Sequence, residues 1–142
     1  MLAVVTAARI AWYGALATAT VWALKALAIW IAGGLNKTGL EDAGWIVGTL
    51  LFLATWVTLG FAFASGRAIW VRVIAAVAGL LVGFVVFIVL DGAADLLPDS
   101  VGWVEEEAGL WAAAVVTLAF AWASLHRGRH AEVSTRIESS PS

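Results

Sequence analysis

An uncharged run from Val73 to Leu90 constrains this chain more than any other feature of its sequence. Its eighteen residues, at about 1.5 Å of rise per helical residue, nearly cross the hydrocarbon core of a bilayer. Arginines precede the run and aspartates follow it. The run therefore predicts a membrane-spanning helix whose two ends lie in different charge environments.

Three other apolar segments predict further spans, which gives four at about residues 10–35, 43–66, 69–90 and 104–125. Of the 142 residues 63% are hydrophobic and only 13% are charged, so lipid is the solvent for most of the chain. The links between the spans are short, which favours antiparallel neighbours. We therefore expect an all-α integral membrane four-helix up-down bundle at residues 1–126. A polar, disordered cytoplasmic tail is predicted for residues 127–142.

The charged residues predict an orientation, because basic residues collect on the cytoplasmic side of membrane proteins. One side of the four-span arrangement carries six arginines: Arg9, Arg67, Arg72, Arg127, Arg129 and Arg136. The other side carries eight acidic residues and a single loop lysine. Tryptophans near both ends of the spans agree with this placement. We expect a multi-pass protein of a bacterial plasma (inner) membrane with both termini cytoplasmic.

A signal peptide cleaved after Ala28 is the competing interpretation of the first segment, since Ala26-Leu27-Ala28 resembles a cleavage site. The apolar run continues to Leu35, and the first eight residues carry no charge. Both observations favour a retained first span.

Lys25 is the only charge well inside a predicted span, and an ionisable group there is a candidate solute or ion contact. Asp91 and Asp95 at the outer end of the third span are its candidate partners, and with Glu105–Glu107 they are also candidate ligands of a hard cation. The alternative is that Lys25 extends outward to the headgroups. Alanines every four residues from Ala7 to Ala23 favour this alternative, because Lys25 lies nearly opposite the end of that stripe.

Small residues four apart predict close helix packing, which is the main association signal in lipid. Gly44 and Gly48 form one such pair, and Ala75, Gly79 and Gly83 form a longer stripe. Packing within the four-helix unit is the simpler interpretation. A homodimer through the third helix is the other.

The sequence contains no recognisable catalytic arrangement, so we expect a protein that is not an enzyme and needs no cofactor. The absence of cysteine excludes disulfides and thiolate metal sites. His126 and His130 have helical metal-ligand spacing but sit among arginines, so no metal site is predicted, and nothing indicates nucleic-acid binding.

Two functions remain. The first is an accessory or regulatory subunit that acts through helix–helix contacts in the lipid bilayer, as part of a larger membrane complex. The alternative is a small oligomeric transporter or channel.

Overall fold

The computed structural model describes the backbone of residues 2–35, 37, 39–94, 96 and 102–138, and the side chains of residues 6–35, 37, 39–94, 96, 102–104 and 107–127. Within these residues the chain forms four α-helices: α1 (Leu2–Ala32), α2 (Leu40–Phe63), α3 (Ile69–Ala94) and α4 (Trp103–Glu138). Each contains a segment long and apolar enough to cross a membrane: Thr6–Ala32, Leu40–Phe63, Ile69–Ala94 and Glu107–Arg127. The all-helical prediction with four candidate membrane spans is thus confirmed.

Two glycines end α1 earlier than the sequence prediction, which extended the first span to residue 35. Gly33 has φ of 74° and Gly34 has φ of 139°, conformations that side-chain-bearing residues rarely adopt. The Gly34 N–H donates to the Ile29 carbonyl (3.1 Å) and the Gly33 N–H to the Trp30 carbonyl (3.2 Å). This pair of bonds is a Schellman cap, which satisfies the last carbonyls of α1. An apolar composition alone does not show such a stop.

The last two helices are longer than predicted. α3 continues through Asp91 and Gly92 to Ala94 instead of ending at residue 90. α4 continues to Glu138, beyond residue 125 where the fourth span was predicted to end, while 139–142 lie outside the described residues. Extending an existing helix needs no new nucleus, and the arginine, alanine and glutamate residues of this segment have high helix propensity.

The helices pack as a square with one short diagonal. α1 contacts α2 and α4, α3 contacts the same two helices, and α2 also meets α4 across the centre. Residue contacts run in opposite order along neighbours: Lys25 lies by Gly44, whereas Gly14, earlier on α1, lies by Thr55, later on α2. Contacts between α2 and α3 show the same opposite order.

Aromatic side chains fill the centre of the square. The Phe52 ring lies 5.7 Å from the Trp22 ring and 6.2 Å from the Trp56 ring, centroid to centroid. Alanines on α1 and α4 pack around them. The Trp56 Nε1–H donates to the Thr117 hydroxyl (3.1 Å), which in turn donates to the Ala113 carbonyl (2.7 Å). These contacts tie α2 to α4 through the middle of the bundle.

The most apolar helix is the least buried one. Only 6% of the best spanning window of α3 is buried, against 33%, 28% and 39% for α1, α2 and α4. Bulky side chains cover most of its outer surface, including Val77, Leu81, Phe84 and Ile88, each more than half exposed. α3 therefore presents most of its circumference to the surroundings.

Candidate functional site

The buried face of α1 is a stripe of residues whose spacing alternates between three and four. Its members are Ala8, Ala11, Ala15, Thr18, Trp22, Lys25 and Ile29, all buried. This spacing averages 3.5 residues, close to the helical repeat of 3.6, so the stripe stays on one face for the length of the helix. Lys25 is one of its members. The side chain therefore points into the bundle.

Lys25 crosses from α1 towards α4. Its stem lies against Gly44 of α2, where an added Cβ would be 3.0 Å from the Lys25 Cβ. Its ammonium donates a hydrogen bond to Glu107 Oε1 and forms an ion pair with it. Only 8% of the lysine side chain and 2% of the glutamate side chain are exposed. The prediction that Lys25 extends outward to the headgroups is therefore wrong.

Glu107 lies early in α4 on a second stripe of alternating spacing, which continues through Leu110, Ala114 and Thr117. Its Oε1 accepts from Lys25, whereas Oε2 is buried and meets no hydrogen-bond partner among the described residues. A carboxylate has several lone pairs to satisfy, and burying a charge is costly even when it is paired. The pair is therefore a polar site set in an otherwise apolar bundle.

One of the two aspartates predicted as partners of Lys25, Asp91, packs elsewhere. Asp91 is exposed at the end of α3 and packs against Gly109 of α4, where an added Cβ would lie 3.1 Å from Oδ1. Gly109 is two positions beyond Glu107, on a different face of the helix. Asp95 lies outside the described residues.

Glu41 is a second buried acid at this end of the bundle, although the predicted span bounds leave it in the loop between the first two spans. It is only 5% exposed, and its Oε1 accepts from the Lys37 backbone N–H (3.2 Å). Glu41 stands three residues before Gly44, the residue against which Lys25 packs. Among the described side chains, this end of the bundle thus buries two carboxylates and one ammonium.

A groove of about 290 Å³ runs between α1 and α2 beside this site. The small side chains of Ala28, Ala43 and Gly44 leave the space, and Leu24 and Val47 border it. Lys25 contributes to the groove wall. The groove can hold a short apolar group. The Lys25 side chain in its wall belongs to the buried ion pair with Glu107.

The predicted packing residues meet other helices of the same chain. Gly44 and Gly48 face α1, where Gly48 lies against the indole of Trp22. Gly79 and Gly83 face α2 and lie against the backbone and side chain of Trp56. The backbone carbonyl of Ala75 lies against Gly60 of α2. The stripe that suggested a homodimer is therefore occupied inside the bundle.

The histidine pair does not assemble a metal site in the part of the chain that the structure describes. The His126 ring packs on Trp122, with centroids 4.1 Å apart, and the side chain of His130 lies outside the described ones. Among the described residues no three histidine, cysteine, aspartate or glutamate side chains group so as to hold a metal ion.

Comparison with known proteins adds no relative: no protein-family model, curated protein or solved structure matches this chain. The functional argument therefore depends on the geometry of the bundle and its ion pair.

Proposed function

We propose that this chain is a non-enzymatic multi-pass protein of the plasma membrane that acts as an accessory or regulatory subunit through helix–helix contacts. The observation that carries the proposal is the exposure of α3, whose spanning window is 6% buried. The small-residue stripe of α3 is used against α2, so its bulky face is left for lipid or for a partner helix. The centre of the bundle is filled by Trp22, Phe52 and Trp56, which favours a contact protein over a monomeric pore.

The proposal includes an up-down bundle with both termini in the cytoplasm. The opposite contact order of neighbouring helices supports the up-down arrangement, and the arginines support the orientation. In intact cells, an impermeant thiol reagent should label Lys37→Cys, in the α1–α2 loop, and leave Ser65→Cys, in the α2–α3 turn, unlabelled. Labelling of Ser65→Cys alone would reverse the orientation.

Photo-crosslinking from α3 tests the accessory role. A photoreactive residue at Leu81 (61% exposed) should form an adduct of defined mass with another integral membrane protein in native membranes. The same residue at Val115 of α4 (65% exposed) is the matched control and should form lipid adducts only. An adduct of twice the chain mass would identify a homodimer, and lipid adducts alone at Leu81 would reject the accessory role.

A small oligomeric transporter or channel is the second candidate, and the buried Lys25–Glu107 pair favours it. A polar site with one unsatisfied carboxylate oxygen in the described structure is an expensive feature for a purely structural bundle. Ion flux from KCl-loaded proteoliposomes that Glu107→Gln abolishes would support this candidate. Flux equal to that of protein-free vesicles supports the accessory role.

A further inference from the structure

Arginines from three segments lie at the end of the bundle opposite the ion pair. The Arg127 guanidinium of α4 lies over the Phe63 ring at the end of α2, 5.4 Å from its centroid. Since Gly60 lies beside Ala75 and the contacts continue in opposite order, the α2–α3 register places Arg72 level with Phe63. Arg72 and Arg127 therefore lie at the level of the same end of α2.

No carboxylate among the described side chains neutralises this cluster. Arg67 adds a third, exposed cation in the turn between α2 and α3. The described acids, Glu41, Asp42, Asp91 and Glu107, all belong to the opposite end. Arg72 has a buried Nε–H that meets no acceptor among the described residues. A group of cations at one end of the bundle, with one buried donor that meets no acceptor among the described residues, favours the binding of an anion.

The surroundings of Arg72 indicate what kind of anion fits. Ile69 and Val73 on either side are 66% and 52% exposed, and the indoles of Trp70 and Trp122 are 65% and 55% exposed. Such aromatic side chains favour the depth of lipid headgroups. A ligand here meets cations at its head and apolar side chains along its tail.

We propose that Arg72 and Arg127, assisted by Arg67, bind the phosphate of an anionic phospholipid. A phosphodiester presents charged oxygens that match the planar fork of a guanidinium, and its acyl chains would lie along the exposed apolar face of α3. Basic clusters at the cytoplasmic ends of spanning helices bind anionic headgroups in this way. The inference depends on the membrane placement proposed above but not on the accessory role.

Thermal unfolding of the full chain in a zwitterionic detergent tests the site, with the nine tryptophans as the fluorescent probe. Phosphatidylglycerol should raise the melting temperature and saturate, whereas phosphatidylcholine at the same mole fraction should not. Arg72→Gln and Arg127→Gln should each raise the half-saturating fraction of phosphatidylglycerol about fivefold, the ratio for ~1 kcal/mol per cation. Arg127 is exposed, so its variant keeps the test available if Arg72→Gln does not fold.

Three controls decide against the proposal if they fail. Arg9→Gln removes an exposed arginine from α1 and should leave the lipid response unchanged. If the lipid were attracted by the total positive charge instead, Arg9→Gln would weaken the response as much as Arg127→Gln does. Inorganic phosphate at matched ionic strength should produce no saturable shift, since such a shift would identify a free anion as the ligand. Glu132→Gln should not lower the melting temperature in the absence of lipid. If it did, and if the effect disappeared in the Arg72→Gln background, Glu132 would be the counter-ion of Arg72. Failure of the α3 crosslink would reject the accessory role but would not change the interpretation of these lipid-binding results.

Discussion

Neutralising one residue of the Lys25–Glu107 pair should destabilise the bundle at least as much as neutralising both residues together. Lys25→Met leaves a carboxylate with 2% side-chain exposure, and Glu107→Gln leaves an ammonium with 8%. Breaking a buried pair in this way costs about 3–5 kcal/mol, of which we expect about 3 because the pair lies near one end of the bundle. The double variant replaces both charges by neutral side chains of similar length. It should cost no more than either single change, which corresponds to a coupling energy of about 3 kcal/mol.

The assay is reversible unfolding in mixed detergent–SDS micelles, followed by tryptophan fluorescence. The matched control pairs Lys25→Met with Asp91→Asn, an exposed acid that packs against Gly109 instead of Lys25. That control cycle should be additive within about 0.5 kcal/mol. Additivity in the Lys25–Glu107 cycle would refute the buried pair. So would a cost below about 0.5 kcal/mol for Lys25→Met, which is what a lysine solvated by headgroups predicts.

Two further sets of substitutions test the packing of the bundle by the same assay. Gly48→Ala should destabilise by about 1–3 kcal/mol because its methyl group would overlap the Trp22 indole, whereas Gly92→Ala, with open space around it, should stabilise by about 0.5–1 kcal/mol. A gain at Gly48 would contradict the α1–α2 contact. Thr117→Val should cost about 1–3 kcal/mol because it leaves the buried Trp56 Nε1–H unpaired, and Trp56→Phe should remove most of that penalty in the double variant. Equal effects of Thr117→Val in both backgrounds would contradict this hydrogen bond.

The sequence was sufficient for the number of helices and their approximate bounds, because spans of this length and apolarity have few alternatives. It was insufficient to predict the residue at which each helix ends. The glycines after Ala32 are uncharged and do not interrupt the apolar segment, yet their positive φ terminates α1. Packing motifs indicated which residues lie at helix contacts but not which helix they meet. Gly83 lies against Trp56 of the same chain, and only the arrangement of α2 and α3 determines that.

The prediction that Lys25 points outward failed for a geometric reason. Residues four apart on an α-helix advance by about 400°, so a stripe of that spacing drifts by about 40° at each step. Ala11 is buried and Ala23, three steps later, is exposed, so the alanine stripe leaves the buried face before it reaches the level of Lys25. Alternating steps of three and four hold the face from Ala11 to Lys25.

The same alternation on α4 leads from Ser124 back to Glu107, which the sequence predicted only as a candidate cation ligand within Glu105–Glu107. Stripes of this kind on two spans of one chain each include one charged residue, and the two charges have opposite sign and lie at the same end of the bundle. In lipid a buried charge is costly unless it is paired, so each charge favours the presence of the other. The pair joins α1 to α4, two helices that are far apart in sequence and whose facing surfaces are otherwise mostly alanine and threonine, and we infer that it helps to set their register. Small side chains permit many sliding positions, and a buried ion pair favours the one position in which its two charges meet.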